Sequence, residues 1–277
     1  MNDIVDLNKI TNGLAGMQSQ ATVTQSISNR RCEKTVTPAP ENVIGLVSYY
    51  YDKTKTGGTA GWLSRKCDFE NRHQGCIHEV PDYYEHYGDK YIRRFTDITN
   101  KYLTSAGKKW LRDARRFLQV YMEDGFNQNI TETTVVTKSQ TDSNIKSSIS
   151  AGGIERLELS SQTFRRFAFG THPAAYIDGG FINLTVMDMM FVSLTPDIKE
   201  WTGEGASDTF DQALEVAKYL MRSTTLWDKV KMAYEFQHII RNRVHEFIPF
   251  LYEAHGVNYT PARLRPILLK IFGGLFS

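Results

Sequence analysis

Three cysteines in 277 residues are too few for a disulfide framework. Cys67 and Cys76 are near enough in sequence to pair in an oxidising compartment, which would leave Cys32 over; idle thiols are the other reading. No apolar run reaches the ~18 residues needed to span a bilayer. The N-terminus, MNDIVDLNKITNGLAGMQSQ, has neither the basic start nor the apolar core of a secretory signal, so synthesis in the cytoplasm is expected. A net charge of +2 demands neither nucleic acid nor an anionic membrane. The basic pairs Arg93-Arg94, Arg115-Arg116 and Arg165-Arg166 are offset almost one for one by acidic residues, so no nucleic-acid partner is expected. Neither G-x-S-x-G nor H-E-x-x-H occurs, and there is no phosphate-binding or dinucleotide glycine pattern. No cofactor is therefore expected.

What the chain does have is concentrated between Cys67 and Tyr91, CDFENRHQGCIHEVPDYYEHYGDKY. Two cysteines, three histidines, six carboxylates and four tyrosines fall there without helix or strand periodicity. That composition suits a binding or reactive surface. Cys67, His73, Cys76 and His78 are all zinc-ligand types, but their spacing matches no common finger or ribbon, and no metal is expected. Glycan cleavage fits the residue types better. It needs one carboxylic acid of raised pKa and a second carboxylate. Glu79 is the candidate acid, Asp82 or Glu85 the partner, and Tyr83, Tyr84 and Tyr87 the rings on which a sugar would stack. The plainer alternative is an acidic first helical turn whose tyrosines pack inward. In THPAAYIDGG, His172 and Asp178 are candidates to complete the same cleft, or to serve as a cap and a turn. Glu235 and His238 show the Glu-x-x-His spacing of di-iron bundles, but the further glutamates such a site needs cannot be identified.

The organisation reads as mainly α-helical. Residues 1–40, rich in Ser, Thr, Gln and Asn, suggest a flexible polar leader. Residues 41–277 form one helical domain, or two halves split near 127–152 by a β-hairpin or extended insertion around 130–150, where Thr131, Thr133, Val135 and Thr137 alternate. A helix is expected from Val43 toward the Gly57-Gly58 turn. The clearest helix follows the Thr104-Ser105 cap, with Trp110, Leu111, Ala114, Phe117, Leu118 and Tyr121 on one stripe and Gly125 as a stop. A long pattern from Leu226 to Phe247 should kink or end at Pro249. The apolar tail from Leu264 to Phe276 discriminates between functions: exposed, it would serve a partner or a membrane; buried, it would favour an enzyme.

Three segments, YGDKYIRRF with LTSAGKKWLRDARRFLQVYME, then FAFGTHPAAYIDGG, then LTPDIKEW, resemble poorly characterised proteobacterial proteins found beside type VI secretion components. The resemblance covers roughly residues 80–201 and carries no assigned catalytic residue. It implies an effector or toxin delivered without a signal peptide into the periplasm of neighbouring bacteria, with secretion-machine and immunity partners. The leading expectation is an antibacterial effector that hydrolyses peptidoglycan glycan. Its rival is a non-enzymatic interaction protein: a secretion adaptor, an immunity partner or a membrane-active toxin. A nuclease is the third reading.

Overall fold

The computed structural model describes residues 33–51, 63–76, 78–197, 215–220 and 222–276, with side chains through Gly273. Cys32, most of the expected leader, the Gly57-Gly58 turn and the end of the LTPDIKEW segment lie outside the described residues.

The architecture is mainly α with one small antiparallel hairpin. Helix α1 spans Arg65–His73. A helical rod then runs from Tyr83 to Tyr102 in four parts: π-helical turns Tyr83–Asp89, α2 Lys90–Arg94, π-helical turns Phe95–Thr99, and α3 Asn100–Tyr102. The central helix α4 covers Ser105–Asn129. Strands β1 (Thr134–Lys138) and β2 (Lys146–Ser150) follow, then α5 Ser161–Gly170, α6 His172–Asp178 and α7 Val186–Ser193. The chain ends in α8 Leu226–Asn242, α9 Phe247–His255 and α10 Pro261–Phe276.

Helix α4 starts where the cap residues dictate: the Thr104 hydroxyl accepts from the Gly107 amide at 3.2 Å. Its first turns put Trp110, Leu111 and Ala114 into a cluster with α7, α8, α9 and α10. Its last turns put Met122 and Phe126 into a second cluster with Phe69, Tyr84, Phe164 and Phe167. One helix thus contributes to both clusters. Gly125 does not stop it. A Cβ there would lie 2.2 Å from the Phe167 ring, so the glycine exists to let that ring lie on the helix backbone. Gly125→Ala is therefore expected to destabilise by about 1–3 kcal/mol through overpacking, read as a lower urea midpoint at unchanged slope.

The hairpin pairs Thr134 with Ser150 through Lys138 with Lys146, burying Val135 and Thr137 on one face. The helix expected from Val43 is reduced to the 3₁₀ turn Val47–Tyr49. Gly45 takes a positive φ of 102°, which breaks the ladder. Its backbone groups turn to α4 instead: the Gly45 amide donates to Gln119 Oε1, and Arg115 Nε donates to the Gly45 carbonyl at 2.7 Å. The described end of the leader is likewise tied down, with the Ala39 amide donating to Glu123 at 3.0 Å. Pro249 ends nothing; it sits in the first turn of α9, where its missing amide hydrogen is tolerated. One side of the tail is buried along α10 through Leu264, Leu268 and Phe272, while Leu269 on the other side is exposed.

The Cys67–Cys76 bridge does not form. Cys67 is a free thiol, whereas Cys76 is disulfide-bonded to a partner outside the described residues. Near them the rings of His73 and His78 meet edge to face at 5.5 Å, and His73 Nδ1 bonds the Phe69 carbonyl at 3.0 Å. Among the described residues, no group of three His, Cys, Asp or Glu side chains is placed to hold a metal ion.

Candidate functional site

The tyrosine-rich segment does not become an open sugar platform. Tyr83 and Tyr84 are buried, because the π-helical turns aim both into the core beneath Tyr50 and Phe164. The Tyr84 hydroxyl donates to Glu158, and burial pushes its phenol far up. Gly88 belongs to the same packing, since a Cβ there would meet the Tyr50 ring at 2.9 Å. Glu79 is exposed. Glu85 is also exposed and is ion-paired with Lys66 at 3.1 Å. Asp82 is half-buried at the start of the π-helical turns.

Part of the expected group does assemble. Tyr87 lies 5.5 Å from Phe169, which lies 5.5 Å from His172, and the Arg165 guanidinium sits 4.4 Å over the Tyr87 ring. His172 is held in this row by Nδ1 at 2.9 Å from the Ala168 carbonyl, and burial lowers its pKa to about 4. Asp178 serves elsewhere. It accepts from Ser139 Oγ (2.6 Å), the Gln140 amide (3.0 Å), the Thr141 amide (2.9 Å) and the Tyr121 hydroxyl, clamping the hairpin loop to α6. Those donors hold its carboxyl below the usual range although burial opposes them.

Burial also lowers His73 and His255. All three histidines bind protons more weakly folded than unfolded, so their contribution to stability is complete above about pH 6.5. It is lost as pH falls toward the folded values, for His172 about 4. Urea midpoints are expected to decline across that window, and His172→Phe to reduce the pH slope by the uptake of one proton. An unchanged slope would contradict this.

Beneath the surface lies a chain of ionic groups with a purely structural geometry. The Arg65 side chain is fully buried; its Nε donates to Glu123 at 2.9 Å and its Nη1 to the Thr37 carbonyl at 2.8 Å and to Asp68 at 3.3 Å. Arg72 donates to Asp68 at 2.8 Å, to Glu158 at 2.6 Å and to the Lys34 carbonyl at 3.1 Å. Tyr49 and Tyr84 donate to the two glutamates. Every partner is engaged, which suits a fastener better than a reactive centre.

Carboxylates converge instead at a cleft of about 270 Å³ between α3, α7, α8 and the 3₁₀ turn Val244–Glu246. Tyr102, Phe191 and Met187 form its apolar wall, with the Tyr102 and Phe191 ring centres 5.4 Å apart. The Tyr102 phenol is pushed up to about 12 by burial and by its hydrogen bond to Glu253. Asp188 is buried, accepting from the Thr104 amide at 2.8 Å and the Thr104 hydroxyl at 2.5 Å, while the Thr185 hydroxyl accepts from the Asp188 amide. Glu235, on the flank of α8, has its carboxyl raised by burial and by Asp188, with Arg243 opposing. Glu246 is pushed the other way: Arg243 grips it through two bonds of 2.6 and 3.0 Å and lowers its pKa.

Reading the sequence noted Glu235 only for its Glu-x-x-His spacing with His238, which is exposed and bonds Asn242 at 3.2 Å. It missed Asp188, Arg243 and Glu246, which tertiary packing alone assembles. No protein-family model, curated protein or solved structure matches this chain.

Proposed function

We propose that this chain is an antibacterial effector that hydrolyses the glycan of the bacterial envelope, with the Glu235–Glu246 cleft as its active site. One observation carries the proposal: two glutamates lining the same cavity are driven apart in acidity, Glu235 up and Glu246 down. A pair separated in this way supplies an acid and a base at one pH. Glu235 protonates the glycosidic oxygen as the bond to the anomeric carbon breaks. The Glu246 carboxylate takes a proton from the water that attacks that carbon. Arg243 lowers the Glu246 carboxyl, and burial, helped by the Asp188 charge and opposed by Arg243, raises that of Glu235. Tyr102 and Phe191 offer the apolar wall on which a sugar ring packs. The burial of Leu264, Leu268 and Phe272 in the tail agrees with this assignment, and the resemblance to proteins found beside type VI secretion components supplies the route to the envelope.

The test is expression in a Gram-negative host, once in the cytoplasm and once with an added periplasmic signal. Lysis confined to the periplasmic form, and absent from Glu235→Gln, is the expected result. Toxicity confined to the cytoplasm would move the target to nucleic acid or metabolites. Harmlessness in both compartments would favour an interaction protein.

A further inference from the structure

The outward side of α8 is apolar where a surface helix is normally polar. Leu226, Trp227, Val230 and Tyr234 are exposed at 79%, 67%, 51% and 76%. At 100° per residue these four fall in one arc, opposite Phe236, Ile239 and Ile240, which bury the helix in the core. Lys231 and Arg241 share the outward side, and the Lys231 ammonium lies 5.8 Å from the Trp227 ring centre. The nearest carboxylate is Asp228, one turn from Lys231, whose cation is among the groups that lower the Asp228 carboxyl. The acidic residues of α8, Asp228 and Glu235, are on the flank, where Asp228 accepts from its Thr225 cap and Glu235 faces the cleft. Helix α10, packed against α8, contains no acidic residue and exposes Arg263 and Lys270.

We infer that this face of α8 docks the protein on the surface of an anionic lipid bilayer. Charge decides among the occupants. A second copy meeting the same face would set Lys231 and Arg241 against their own equivalents, with only Asp228, already bonded to its Thr225 cap, near enough to offset them. An anionic headgroup layer meets both cations, and exposed Trp and Tyr rings settle at the boundary between headgroups and acyl chains. Attachment would be superficial, because among the described residues no helix is long and apolar enough to cross a membrane. The inference is independent of the cleft chemistry, since none of the four apolar residues lines the cleft.

The test is flotation of the full chain with phosphatidylglycerol-containing vesicles and with all-phosphatidylcholine vesicles, at low and high salt, beside light scattering for oligomeric state. Co-flotation with the anionic vesicles only, weakened by salt, is expected. The double variant Trp227→Ser/Tyr234→Ser should reduce partitioning at least about tenfold. If circular dichroism shows that variant misfolded, Lys231→Gln/Arg241→Gln takes its place, with the same loss expected on anionic vesicles. Failure of the unmodified protein to float at low salt would overturn the inference, as would undiminished flotation of a folded variant. A dimer that the same substitutions split would assign the face to a second copy.

Discussion

Arg65→Ala is expected to remove about 3–5 kcal/mol of folding stability, among the largest single losses in the described chain. The guanidinium is completely buried and binds Glu123, Asp68 and the Thr37 carbonyl at once. Its removal leaves the buried Glu123 carboxylate without its cation, held only by the Tyr49 hydroxyl and the Ala39 amide. An unpaired buried charge is far more unfavourable than the pair's net contribution is favourable. Restoring a charge with Arg65→Lys should recover only part of the loss, because an ammonium cannot reproduce the planar fork to Glu123. Urea denaturation of the three proteins measures this. A loss below about 1 kcal/mol, the range of an exposed ion pair, would show that the network is not the fastener described.

Glu235→Gln should lower hydrolytic turnover by about 10²–10⁴-fold, the usual contribution of a positioned general acid. The amide keeps the shape of the side chain and removes the proton. Half-buried in the wall of the cleft, it should fold normally. The unmodified protein should show a bell-shaped pH profile. Activity falls at low pH as Glu246, whose pKa is lowered by Arg243, takes up a proton and ceases to be a base. It falls at high pH as Glu235, whose pKa is raised by burial and by Asp188, loses the proton it must donate. Arg243→Gln should move both limbs upward, because Arg243 lowers the carboxyls of Glu246 and Glu235 alike, while leaving a folded protein. A profile without the high-pH limb, or one unmoved by Glu235→Gln, would remove Glu235 from the chemistry.

Local signals in the sequence carried the fold a long way. The Thr104 cap, the apolar stripe from Trp110 to Tyr121 and the alternation around Val135 each corresponded to the element found, because short-range sterics and burial dictate them. The failures have one physical cause. Gly125 reads as a stop in the sequence, yet it and Gly88 are shaped by rings from distant segments, and Gly45, which breaks the helix expected from Val43, is held by side chains of α4. No window of sequence contains those partners. The same holds for the site. Tyr83 and Tyr84 pack inward, as the plainer reading of an acidic first helical turn has it, rather than forming a sugar platform. Glu235 and Glu246 share a cleft through tertiary packing alone: burial and then Asp188, which comes from another helix, raise the Glu235 carboxyl, while Arg243 lowers that of Glu246.

The most direct test of the glycan-hydrolase assignment is the appearance of new reducing ends when purified peptidoglycan sacculi are incubated with the protein, with products resolved by mass spectrometry. Soluble fragments cleaved between sugars, released by the unmodified protein and not by folded Glu235→Gln, are the predicted result. Intact glycan, or equal release by the variant, would contradict it.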